Sequence, residues 1–106
     1  MGKFIERLQE CRVSWKSSIL TDNADFLHGA LESLKKDMID RASRGYLDLK
    51  VEMRIPVVSS DGARVLLDEL VDRLKKLDDE LTISVDNGMK WDYRSLRWCA
   101  KLSISW

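Results

Sequence analysis

From Leu47 to Ile55 apolar and polar side chains alternate without a break: Leu47, Leu49, Val51, Met53 and Ile55 take one parity, and Asp48, Lys50, Glu52 and Arg54 the other. Successive side chains of a strand point to opposite faces, so this run specifies a strand with one buried face and one wet face. Pro56 limits its extension, and the cluster Ser59-Ser60-Asp61-Gly62 supplies a turn with capping oxygens. A helix follows on the stripe Ala63, Leu66, Leu70, Leu74 and Leu77, widened by Val65, Leu67 and Val71, which predicts the best-buried helix of the chain. Leu81, Ile83 and Val85 then alternate with Thr82, Ser84 and Asp86, and Lys101-Leu102-Ser103-Ile104-Ser105-Trp106 continues the strand pattern. This order predicts an α+β domain with one mostly antiparallel sheet, helices packed on one of its faces and the other face left to water or a partner.

Asn87-Gly88 is the strongest short-range hairpin signal in the chain and predicts a two-residue turn there. Beyond it Met89, Trp91 and Tyr93 share one parity, whereas Leu96, Trp98, Ala100, Leu102, Ile104 and Trp106 share the other. The register resets near Arg94-Ser95, through either a short extra strand or a bulge in one bent ribbon.

Upstream, Phe4, Leu8, Cys11, Trp15 and Ile19 fall on one stripe of a helix from about Lys3 to Leu20. A second helix carries Leu27, Leu31, Leu34, Met38 and Ala42, with Thr21 and Asp22 offering N-cap oxygens, Asp25 as a first-turn acid, Arg41 and Arg44 in the last turn and Gly45 as the stop. The topology expected is therefore two helices, then β-α-β-β with room for one further strand, in a single domain over residues 1 to 106.

The 18 basic and 18 acidic side chains cancel, which disfavours generic binding to nucleic acid or to an anionic membrane. With no apolar run of spanning length and only Cys11 and Cys99, far apart, the composition points to a soluble protein of a reducing, intracellular compartment with two free thiols.

Signals for chemistry are sparse. His28, the only histidine, is flanked by Asp25 and Glu32 and reads as part of a helix-surface ion pair. Asp78-Asp79-Glu80 reads as a solvated helix end, because adjacent acids diverge and no loop of calcium-ligand spacing follows. Gly62 and Gly88 are isolated, so neither common phosphate-cradling loop is present. Cys99 is expected on the polar sheet face beside Arg97 and Lys101, where a cation lowers a thiol pKa, although an ordinary strand thiol is the simpler reading. No nucleophile, general base, cofactor or metal constellation emerges, which points away from an enzyme.

The best binding surface is the outer sheet face with Thr82, Ser84, Arg97, Lys101, Ser103 and Ser105, next to the ladder Asp48, Lys50, Glu52 and Arg54. Its hydroxyls and cations suit a phosphate or carboxylate. The same pattern is also the ordinary way a sheet face stays soluble. Trp91, Tyr93 and Trp98 join this set as either a cluster under the hairpin or a recognition patch with a stacking platform.

The run Ala42-Ser43-Arg44-Gly45, the alternating strand, the leucine-rich helix, the strand turning at Gly88 and the final Ile104-Ser105-Trp106 together resemble the small accessory proteins of unknown function common in tailed phages. The likeness covers roughly residues 38 to 106. This chain departs from it at Glu80-Leu81, where many members have a Gly-aromatic pair. The resemblance implies a viral protein made in the bacterial host cytoplasm that binds a host protein, a defence component or itself, and it brings no catalytic residues.

Three functions are thus expected, in this order. The first is a non-enzymatic inhibitor or modulator of a bacterial protein acting by surface occlusion. The second is a binder of a small anionic ligand such as a nucleotide signal, and the third a self-assembling structural protein. A homodimer is expected because Leu102 to Trp106 is uncharged and would lie uncovered if the last strand sat at a sheet edge.

Overall fold

A computed structural model describes residues 2–106, with three helices and three strands in the order α1 (Lys3–Asp22), α2 (Ala24–Ser43), β1 (Asp48–Ile55), α3 (Ser60–Leu77), β2 (Thr82–Asp92) and β3 (Arg97–Ser105). The α+β class and the β-α-β-β plan hold, and the sheet is wholly antiparallel with the order β1-β3-β2. No extra strand forms from residues 89 to 93.

Period-2 patterning places one face of all three strands in the core. Leu49 and Ile83 flank Ile104, Val51 and Val85 flank Leu102, and Met53 and Met89 flank Ala100. The buried centre joins Leu27 and Leu34 of α2 to Ala63, Leu66, Leu67, Leu70 and Leu74 of α3 over Leu49, Ile55, Leu102 and Ile104 of the sheet. Val51 and Ile83 on the outer strands are half-buried, whereas Leu49 and Ile55, also on β1, are buried. Leu77 departs from the expected stripe and is 42 % exposed, since it ends α3 beyond the sheet.

Local signals explain the boundaries. Ser59 caps α3, its Oγ accepting from the Gly62 N–H at 2.9 Å. Gly45, at φ +87°, lets the Gly45 and Tyr46 N–H groups bond back to the Ala42 and Arg41 carbonyls and close α2. Arg41 then ties that corner to β1: its Nε donates to the Asp48 carbonyl at 3.1 Å, and its guanidinium lies 3.8 Å from the Tyr46 ring centroid.

Two expectations fail here. Thr21 and Asp22 belong to α1 and do not cap α2; only Asn23 separates the helices, and its Nδ2 donates back to the Ile19 carbonyl at 2.9 Å. Asn87-Gly88 is not a hairpin turn. β2 runs straight through it, and the pairing steps from Asp86↔Lys101 to Met89↔Ala100, leaving two residues as a bulge. The chain reverses instead at residues 93–96, where Leu96 takes φ +54°. Gly88 is at φ +67° with nothing within 4 Å of an added Cβ, so Gly88→Val is expected to cost about 1–2 kcal/mol through backbone strain alone. A thermal melt combined with an amide spectrum checks this; loss of the whole fold would contradict a bulge.

The position of β3 also removes the edge-strand motive for a homodimer. The uncharged residues 102–105 form the centre of the sheet, paired to β1 on one side and β2 on the other. β3 is likewise closed as a docking strand.

Candidate interaction surfaces

The outer face of the sheet collects Thr82, Ser84, Arg97, Lys101, Ser103 and Ser105, as their parity predicts. Opposite charges alternate across it: Lys101 lies between Glu52 and Asp86, Arg97 opposite Asp92, and Ser103 Oγ donates to Asp86 Oδ2 at 2.7 Å. Around Cys99 and Lys101 a hollow of about 100 Å³ takes Glu52, Asp86 and Lys90 into its wall. Both signs line it, so donors do not converge on an anion, and the face reads as a solubilising checkerboard.

Cys99 stands on this face between Arg54 and Lys90, yet it is buried. Burial pushes its thiol pKa up, aided by the negative charges of Asp92 and Glu52, which outweigh the opposing Arg54. This disfavours the alternative of a cation-lowered thiol and agrees with the simpler reading of an ordinary strand thiol, because desolvation disfavours the thiolate. Cys11 is exposed. A disulfide reagent at neutral pH should accordingly titrate one thiol fast and one slowly, with the fast phase lost in Cys11→Ser and the slow one accelerating only at alkaline pH. Equal rates for the two thiols would contradict the burial of Cys99.

Trp91 and Trp98 pair across β2 and β3 on the opposite, core-facing side, ring centroids 5.5 Å apart in an edge-to-face arrangement. Trp98 Nε1 donates to the Val58 carbonyl at 2.7 Å, which ties the loop before α3 to the sheet. The sheet thus separates both indoles from Arg97, Lys101, Thr82 and Ser84, and the expected stacking platform over a bound anion is not assembled. Tyr93 sits in the reversal and is 83 % exposed. There Asp92 accepts from the Ser95 hydroxyl and the Arg94 N–H, which hold its carboxyl below the ordinary range. Whatever this turn gains from Asp92 is present above the ordinary carboxylate pKa and is lost as pH falls through the lowered one.

The remaining candidates are quiet. His28 is exposed, and Glu32 pairs with Lys35 at 3.1 Å rather than with it. Asp78 accepts from the Glu80 N–H in a surface turn. Among the described residues no group of three His, Cys, Asp or Glu side chains is placed to hold a metal, and no helix is long and apolar enough to cross a membrane.

The surface that sequence reasoning did not single out is α1. None of its residues is buried. Phe4 is 71 % exposed, Ile5 58 %, Leu8 54 % and Trp15 39 %, and only Ile19 and Leu20, in the last turn, pack against the core. One residue between helices is too few for α1 to fold back on α2, since a helical hairpin needs about two to five. α1 instead leans on α3 near Gly62 and Val65 and extends past the body. The molecule measures 58 × 35 × 25 Å, with a radius of gyration of 15.9 Å where a compact chain of this length has about 13 Å. A smaller apolar opening lies between the C-terminal ends of α2 and α3, lined by Met38, Ile39, Leu77 and Leu81.

Comparison with known proteins finds no family model, no curated protein and no solved structure that matches the chain. The class defined by fold and surface is an α+β domain with an amphipathic helix that touches the body at its C-terminal end and leaves its N-terminal apolar stripe exposed.

Proposed function

We propose that this protein is a non-enzymatic binding protein that works by covering a surface of a partner protein, with α1 as its docking element. The observation that supports the reading is the 20-residue helix with no buried side chain and its apolar stripe in water. Most helical stability in proteins comes from packing an amphipathic face, so an uncovered stripe is a face awaiting cover. In the setting implied by the phage resemblance, the partner is a bacterial host or defence protein, and occlusion inhibits or modulates it.

The test compares the native chain with a Phe4→Glu/Leu8→Glu variant, each immobilised and challenged with bacterial lysate. Both positions are more than half exposed, so the variant keeps its fold. One stoichiometric protein retained by the native chain and absent from the variant supports the reading. Equal retention by both removes α1 from the interface, and a co-purifying nucleotide retained by both favours a small-ligand binder instead.

A further inference from the structure

The seam on α1 is narrow. Phe4, Leu8, Cys11 and Trp15 recur at steps of four, three and four, the a/d spacing of a coiled-coil stripe one side chain wide. Its edges are Arg7 on one side and Ile5 and Arg12 on the other, whereas Glu6 and Glu10 lie on the far side of the helix. Every charged residue at the seam's edge is therefore basic. At Ser18 the spacing lapses and Ile19 and Leu20 turn to the core, so the free seam ends where the body begins.

We infer that α1 docks an amphipathic helix of a partner protein whose flanking positions are acidic. The inference rests on the binding reading above and names the chemistry of its partner. Charges beside an a/d seam choose the partner by complementarity. A second copy of α1 brings Arg7 and Arg12 against further arginines, which penalises self-pairing. An anionic membrane also attracts cations, but interfacial helices present a broad apolar face, and Gln9, Arg12, Ser14 and Lys16 confine this one to a seam. Arg12, Lys16 and the seam's own Trp15 line a cleft of about 180 Å³ with Asp61, Arg64, Val65 and Asp68 of α3, so the part of the seam clear of the body is Phe4, Leu8 and Cys11; no ion pair within 4 Å crosses the cleft among the described residues, and both cations are exposed.

The probes are two labelled three-heptad helical peptides, with leucine at the seam positions and either glutamate or lysine at all flanking positions, titrated against the full chain by fluorescence anisotropy. The glutamate peptide is expected to bind at least fivefold tighter, to weaken as salt rises, and to lose binding on Leu8→Glu. Arg7→Glu/Arg12→Glu is expected to reverse the preference. Equal affinity for both peptides overturns the charge selection while leaving α1 a docking element if lysate retention still depends on Phe4 and Leu8. If neither peptide binds, the inference falls. It falls equally if the chain sediments as a dimer that Leu8→Glu dissociates, or if it floats with phosphatidylserine vesicles and ignores both peptides.

Discussion

Leu70→Ala is expected to destabilise the domain by about 2–5 kcal/mol, read as a shift of the urea midpoint at unchanged slope. Leu70 lies in the middle of α3, is 1 % exposed and belongs to the cluster that joins α2 to the sheet. Truncation removes its transfer free energy and leaves a cavity whose walls are held by the sheet on one side and α2 on the other, so collapse is limited. Leu74, at 0 % exposure on the same stripe, is expected to behave alike. A loss smaller than about 0.5 kcal/mol would mean that α3 does not face the sheet through these leucines.

Ser103→Pro is expected to prevent folding. Ser103 pairs with Lys50 of β1 and with Ser84 of β2, so its backbone is enclosed by ladders on both sides. Proline removes an N–H from the ladder and orphans a carbonyl, at about 1–3 kcal/mol before the clash of its ring with the neighbouring strand is counted. An edge strand tolerates such a change, and a central one does not. A folded, monomeric Ser103→Pro variant with native near-ultraviolet dichroism would show that β3 has a free edge.

Much of this architecture is legible in the sequence. The alternation of residues 47–55 and 81–85, the Ser59 cap, the Gly45 stop and the leucine stripe of α3 each depend on neighbours a few positions away, and each is found where the pattern puts it except at its ends, where Leu47 precedes β1 and Leu77 closes α3, both exposed. What escapes is non-local. Strand order decides whether an uncharged strand such as residues 102–105 is a sheet edge or its centre, and no periodicity encodes that order. Asn87-Gly88 is a strong local turn signal overruled by the ladder to β3, because residues 89–92 find paired partners in residues 97–100 when the reversal is deferred to 93–96. The nine candidate residues of the sheet end on two faces and a turn, since parity assigns sides correctly only where the strand is known to continue. The stripe of α1 is readable as a stripe, but periodicity tells which side chains share a face and not whether anything lies against it.

The two-residue bulge in β2 sets a rule for how this strand tolerates insertions and deletions. Removing residues 87 and 88 together leaves Met89 and Trp91 on the side of Ile83 and Val85, still opposite Ala100 and Trp98. Removing either one alone leaves a single extra residue, and only a one-residue bulge then keeps Met89 and Trp91 inward; strict alternation would send them out to solvent and turn Lys90 inward. Loss of the pair therefore leaves the ladder from Met89 to Asp92 in register with β3 and the hairpin tip where it is, and turns β2 from a bulged strand into a regular one.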